Sequence, residues 1–600
     1  MRNFWYSFLG ALLALIVLPV LLFVFLIAGA SASTLWKSSE VKPLKKDAVL
    51  YLKLDRPLPE KSKEMSFGSI SLMGGDLEEM FAKRPLTLRK ALKRLRQAAK
   101  DPHIKGVFLD LTAMNPIFYT PTEAVKLMEV RRVLDSMRAA GKPIIAYSEY
   151  VMAPQLYLGA AADSFFVHPV GISGIAGVKA TFLYMRGLLD KLDVTPVELR
   201  IGKYKSAAET ISRREMSEGQ REQAQEMLDY FYRYLYLQPI KGRMPMAEAD
   251  SLIRSGAWLF NVKALADAGV VDGLRTRDEV LALVDKWVDD DRPIEKKLVE
   301  LYEYRGKEKS KHAKNKIAVL VAEGGIVMDG NPDEEISAMD IIPLIRKVRE
   351  DDDVKALVLR VNSPGGDALA SELIHRELEL TRQKKPVVVS MSSLAASGGY
   401  YISCGADSIF AYPTTLTGSI GVIGLLLNPH RLIKEKLDIN PYTLKIGKYA
   451  DLGNMTRPLT DDEKRIILGF MRQIYGVFLQ RVAEGRGLDT AYVNSIGGGR
   501  VWMGVRAQEK GLVDAIGYYD DAVAAAAQLA GVEKYKVVMV RRPKKKFFLS
   551  LLEGMDASAM MESVIPQPYR NAAKTLKHIL PTSASPLSSV KLIMPWIILN

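Results

Sequence analysis

Short apolar runs, each about the length of one strand and separated by amphipathic basic stretches, occur in two blocks along the chain. Residues 47–53 (Asp-Ala-Val-Leu-Tyr-Leu-Lys) open the first block and residues 316–322 (Lys-Ile-Ala-Val-Leu-Val-Ala) open the second. Second strands are predicted at 104–111 and 354–361, third strands at 143–147 and 386–390. The runs are apolar throughout instead of alternating, which predicts strands covered on both faces, and intervening helical patterns predict largely parallel, helix-flanked sheets. The fold class is therefore α/β. Ser217-x-x-Gln220 and Thr460-x-x-Glu463 are capping-box sequences that start a later helix in each block. After the second, Ile466, Phe470, Ile474, Phe478 and Val482 recur every four residues and predict one buried stripe.

The two blocks are copies of one unit. Ile201-Gly202-Lys203-Tyr204 returns as Ile446-Gly447-Lys448-Tyr449, an offset of 245 (446 − 201). Ala162-Asp163-Ser164 returns as Ala406-Asp407-Ser408, an offset of 244 (407 − 163), and Gly269-Val270-Val271-Asp272 as Gly511-Leu512-Val513-Asp514. Residues 47–288 thus form a first repeat and residues 316–540 a second. The highly charged interval 289–315 reads as a linker or solvated helix. Residues 541–600 lie beyond the repeat; their Arg541-Arg542-Pro543-Lys544-Lys545-Lys546-Phe547-Phe548 run fits a lipid-surface patch or a solvated tail.

A chain of 600 residues exceeds what one core organises, so two buried domains are expected. The excess of Lys and Arg over acids, +14, suits an anionic partner, and no zinc finger, RNA-recognition motif or basic zipper accompanies it. A membrane surface fits better than nucleic acid, because residues 4–32 carry no charge and are long enough to span a bilayer. Residues 1–33 are read as a transmembrane anchor that places the repeats outside the cytoplasmic membrane; small-x-small triplets at Ala28-Gly29-Ala30 and Ala30-Ser31-Ala32 also fit signal-peptide cleavage. The lone Cys404 excludes an intrachain disulfide.

Candidate chemistry lies where the repeats differ. Lys205 of the first copy stands opposite Ala450, and Ser397-Gly398-Gly399 of the second stands opposite Ala153-Pro154-Gln155. Asn362-Ser363-Pro364-Gly365-Gly366 follows the second strand of the second repeat, whereas Thr112-Ala113-Met114-Asn115-Pro116 has no glycine. Glycines there let backbone N–H groups approach a developing oxyanion, although a tight turn alone would also use them. A serine after a strand can be a nucleophile or an ordinary helix cap, and the six histidines show no placement that makes one its base. A lysine serves instead if burial lowers its pKa. One repeat then supplies a lysine and the other a serine.

Tyr204-Lys205-Ser206-Ala207, Asn362-Ser363-Pro364-Gly365-Gly366, Ala396-Ser397-Gly398-Gly399-Tyr400 and Leu416-Thr417-Gly418-Ser419-Ile420-Gly421 together resemble the long form of signal peptide peptidase A, a membrane-bound Ser-Lys protease. The resemblance runs from the anchor to about residue 517. It implies two tandem Clp protease/crotonase-like repeats, with Ser397 as nucleophile, Lys205 as general base and Ser419 orienting the lysine. Gly366 and Gly398 would supply the oxyanion hole. It also implies hydrophobic signal-peptide substrates, no cofactor and no metal, and a homotetrameric bowl facing the membrane. Glu209-Thr210-Ile211 departs from the acid-proline continuation common in relatives. Two other classes share these features, a crotonase-like acyl-CoA enzyme and a non-catalytic membrane scaffold.

Overall fold

The computed structural model describes residues 44–61, 86–306, 313–542, 590–593 and 598–599. The apolar segment 4–32 and the basic run after Arg542 lie outside them. Among the described residues no helix is long and apolar enough to cross a membrane.

In the first repeat, β1 (Ala48–Lys53) leads to helix α1 (Leu88–Lys100), whose Leu88, Ala91, Leu92, Leu95 and Ala98 form a buried face at helical spacing. Then follow β2 (Ile104–Asp110), α2 (Ala124–Ala139), β3 (Ile144–Val151) and β4 (Ser164–Ser173). The short β5 (Ala180–Thr181) and the longer β6 (Thr195–Ile201) leave this sheet; α3 (Glu218–Tyr232) and β7 (Gly273–Leu274) complete the repeat. Leu298–Glu300 forms β8 and pairs parallel with β1, giving the order β7-β4-β3-β2-β1-β8. The charge-rich interval 289–315 therefore contains an edge strand as well as a connection, because three residues suffice to extend the ladder of β1.

The second repeat opens with β9 (Lys316–Glu323), β10 (Ile326–Val327), β11 (Ile336–Ser337) and α4 (Ala338–Glu350). Next come β12 (Val354–Ser363), β13 (Gly365–Asp367), α5 (Ala368–Arg382) and β14 (Val387–Ala396). After the short helix α6 (Gly398–Tyr401) follow β15 (Ser408–Ala411), β16 (Leu416–Gly418) and β17 (Val422–Asn428). The long α7 (Asp461–Arg486), β18 (Val501–Met503), β19 (Ala515–Ile516), α8 (Tyr519–Leu529) and β20 (Lys536–Met539) end it. Strand β12 lies parallel between β9 and β14, as the apolar runs require. Beyond the repeat, β21 (Val590–Ile593) pairs with β13 and β17, and β22 (Ile598–Leu599) pairs with β5.

The third strands extend past their predicted ends. Strand β14 forks: Val388–Ser390 pairs with β15, and its distal half, Leu394–Ala396, pairs with β16, so the small residues before Ser397 are strand and not turn. Both predicted helix starts are capped. Thr460 and Glu463 form the reciprocal box, while in the first repeat Ser217 accepts from the Gln220 N–H and the Gln220 side chain instead accepts from Tyr184. The stripe on α7 departs from expectation. Phe478 and Val482 are buried, but Ile466 and Phe470 are exposed, because the first half of α7 turns a different set, Ile467, Leu468 and Met471, to the core.

The repeats join through a buried polar network. Arg360 on β12 donates to Glu60 Oε1 at 2.7 Å, Ser390 Oγ at 2.9 Å and Ser392 Oγ at 3.0 Å. Glu129 on α2 accepts from the Tyr412 hydroxyl and from the Tyr519 N–H. Burial alone would raise the Glu60 carboxyl, but the Arg360 guanidinium outweighs it and holds the group below the usual carboxylate range.

Candidate active site

The lysine reaches the second repeat on a strand that has left the first. Strand β6 pairs antiparallel with β17 from Val422↔Ile201 to Asn428↔Thr195. Immediately after it, Gly202 has φ +113°, and a Cβ there would sit 2.3 Å from Gly498 backbone atoms. The Tyr204 N–H donates to the Gly498 carbonyl at 2.9 Å. A Cβ on Gly499 would lie 2.5 Å from the Lys205 backbone nitrogen. Only a glycine loop lets the two chains approach this closely. Gln223 on α3 ties the assembly together: it donates to Tyr204 O at 3.1 Å and Ser206 Oγ at 2.8 Å, and accepts from the Val501 N–H at 3.2 Å.

Ser397 stands between β14 and α6 with φ +57°, a strained conformation for a residue with a side chain. Its N–H donates to the Gly418 carbonyl at 2.8 Å. Ser419 follows β16 with φ +53°, and its N–H donates to Arg500 O at 2.7 Å. These two turns bring both serines to the lysine. Lys205 Nζ lies 2.7 Å from Ser397 Oγ, 2.8 Å from Ser419 O and 3.0 Å from Ser419 Oγ.

Lys205, Ser397 and Ser419 are each 0% exposed. Desolvation drives the lysine pKa well below its ordinary 10.5, with no carboxylate among the described residues to offset it. The nearest acid in sequence, Glu209, is engaged by Arg200 at 2.5 Å and by the Ser217 hydroxyl at 2.8 Å. The amine is thus held beside a hydroxyl in a form that favours the neutral state.

Gly366 on β13 packs so closely on β10 that a Cβ would lie 2.0 Å from Ile326 O. A Cβ on Gly398 would meet Ser371 Oγ at 2.7 Å and the Gly366 nitrogen at 3.1 Å. The two glycines are therefore adjacent, beside Ser397. Strand β21 runs antiparallel to both walls, with Leu592 opposite Gly366 and Lys591 opposite Ile423. All five residues singled out from the sequence meet in this one place. Cys404 does not take part: it is buried, and burial pushes its thiol up to about 12. Sequence reasoning missed Gln223, Gly498 and Gly499, although the Gly497-Gly498-Gly499 run was a visible signal for a close backbone approach.

The peptidase family S49 profile matches residues 136–289 and 379–533, one segment in each repeat. The chain belongs to this family. It is 33% identical to Protease 4 of Haemophilus influenzae over 569 residues, covering 89% of both chains. It is 32% identical to the chloroplastic serine protease SPPA of Arabidopsis thaliana over 489 residues, covering 79% of this chain and 71% of that one. Among solved structures, a ClpP1 mutant from Listeria monocytogenes covers 34% of this chain and 94% of its own, with 16% identity and a TM-score of 0.23. That score is too low to inform the fold, which rests on the strand pairing above. As an S49 member the peptidase is a serine protease, which favours peptide hydrolysis over the acyl-CoA and scaffold alternatives.

Proposed function

We propose that this peptidase is a membrane-anchored endopeptidase that hydrolyses hydrophobic peptides, remnant signal peptides among them, with Ser397 and Lys205 as its catalytic dyad. The carrying observation is the buried amine 2.7 Å from the serine hydroxyl. A neutral amine has two N–H bonds and one lone pair. The N–H bonds suit Ser419 O and Ser419 Oγ, which leaves the lone pair for the Ser397 proton.

Ser397 Oγ attacks the scissile carbonyl as Lys205 takes its proton. The N–H groups of Gly366 and Gly398 hold the oxyanion, and the lysine then protonates the leaving amine as the C–N bond breaks. Water gives a proton to Lys205 Nζ and attacks the acyl-enzyme, and the lysine returns that proton to Ser397 Oγ as the acid is released. The path of β21 between β13 and β17 supports a substrate bound as an extended strand. The uncharged segment 4–32 supports retention at the cytoplasmic membrane with the repeats on the outer side, and the family resemblance supports a homotetramer. The chemistry calls for no cofactor.

Hydrolysis of a fluorogenic hydrophobic peptide tests the reading. Wild type turns over, and Ser397→Ala, Lys205→Ala and Lys205→Arg do not, the last because arginine stays charged. Equal turnover in all four removes the assignment.

A further inference from the structure

The crossing that delivers Lys205 runs along backbone with little to restrain it. In the Gly497-Gly498-Gly499 run, Gly498 and Gly499 hold φ of +61° and +82°. Three residues without side chains leave the chain many ways to relax. Whatever fixes this run also fixes the lysine, because the Tyr204 N–H donates to the Gly498 carbonyl and Gly499 lies against the Lys205 backbone. The first side chain after the run is that of Arg500.

Arg500 is held at both ends. Its carbonyl accepts the Ser419 N–H at 2.7 Å and so fixes the positive-φ turn whose carbonyl and hydroxyl face the lysine amine. Its guanidinium lies between two rings, 4.8 Å from the Tyr204 centroid and 4.4 Å from the Trp502 centroid. The same fork donates to the Tyr204 hydroxyl at 3.2 Å, to Glu222 Oε1 at 2.6 Å and to Glu226 Oε2 at 2.8 Å. Both carboxylates stand on α3 of the first repeat, and Glu222 also accepts from the Tyr204 hydroxyl at 2.8 Å. The other copy of the repeat has none of these three residues. By the repeat offsets Arg500 corresponds to Trp258, Glu222 to Arg465 and Glu226 to Gly469. The set stands only where the lysine and serine meet, the same alternate occupancy as Lys205 against Ala450.

We infer that Arg500 is a positioning residue for the general base: its side chain holds Tyr204, the residue before Lys205, while its main chain holds the Ser419 turn, so that Lys205 Nζ stays dry and beside Ser397 Oγ. The inference rests on the dyad proposed above. Burial is the cause of the lysine's lowered pKa, so the guanidinium acts by keeping the amine in place and away from water, not by repelling its proton. A lysine at position 500 keeps the charge, but it cannot fork to two carboxylates or lie flat between two rings. The glycine run then relaxes, water reaches the amine, and the amine's pKa climbs toward its ordinary value.

The test is peptide turnover and fluorophosphonate acylation of the full chain in detergent micelles across a range of pH, with active protein counted as the Ser397 that labels at completion. Arg500→Lys is expected to lower kcat on the order of a hundredfold, the cost of about 1 Å of misplacement. It is expected to leave KM unchanged and to move the acylation midpoint up toward 10.5. Glu222→Gln changes a half-exposed side chain and keeps the fold, and it is expected to move the midpoint the same way by less. Should Arg500→Lys not fold, Glu222→Gln alone decides. Arg506→Lys is the control: Arg506 pairs with the same Glu226, at 3.3 Å, and with Glu509, so its loss is expected to leave kcat and the midpoint at wild-type values. A midpoint unchanged in Glu222→Gln and in a folded Arg500→Lys, an equal rise in Arg506→Lys, or a loss carried by KM instead of kcat overturns the role of Arg500. Wild-type acylation in Lys205→Ala would instead refute the dyad, whereas a lysine-dependent profile that Arg500→Lys leaves untouched refutes the positioning role and leaves the dyad standing.

Discussion

Among the described residues Lys205 faces two hydroxyls and a carbonyl but no carboxylate, so its charged form has lost water and gained no counter-ion there. Because its folded pKa is depressed, the unfolded chain holds one more proton between the folded value and the ordinary 10.5. Stability rises with pH wherever the unfolded state binds more protons, so the wild type gains about 1.4 kcal/mol per pH unit within that window relative to Lys205→Met. Below the folded pKa the difference between the two proteins is flat. Urea melts at a series of pH values check this; a constant difference across the window contradicts a depressed lysine. Ser419→Ala removes one of the amine's partners but leaves the Ser419 carbonyl in place, so kcat/KM falls about fivefold, the worth of one hydrogen bond of about 1 kcal/mol.

At the scale of elements, delivery of the lysine depends on one close crossing. Gly202→Ala forces a side chain into a positive φ and against Gly498, and is expected to cost roughly 1–3 kcal/mol and most of the activity. Gly447→Ala meets no atom of the described residues and is expected to leave the fold of the single chain intact. Circular dichroism melts and peptide turnover distinguish the two. The strands and helix starts were legible because parallel strands buried on both faces leave continuous apolar runs, and caps leave Ser/Thr with Glu/Gln at fixed spacing. The fork in β14 was not legible: Leu394-Ala395-Ala396 is too short and too small-residued to announce a strand, and only its partner β16 makes it one. The exposure of Ile466 and Phe470 was hidden for a related reason, since periodicity reports an apolar face but not what covers it.

Over the whole molecule, the division of the site between repeats was readable as alternate occupancy, Lys205 against Ala450 and Ser397 against Ala153, because a duplicated unit keeps a shared residue only where it is used. The distance between the two side chains was not readable, since it depends on β6 crossing to the other repeat. What holds the repeats in register is partly the Glu60–Arg360 pair. Arg360→Ala strands a buried carboxylate and is expected to destabilise the chain by about 3–5 kcal/mol, whereas Glu60→Leu with Arg360→Met recovers most of that loss. Denaturant midpoints of the single and double variants check it.

The most direct measurement is the rate at which a fluorophosphonate acylates Ser397 as a function of pH. A divided dyad predicts a rate that climbs to a plateau with a midpoint well below 10.5, and its loss in Lys205→Ala. An unchanged rate and profile in Lys205→Ala would show that the serine is activated by something other than the lysine of the first repeat.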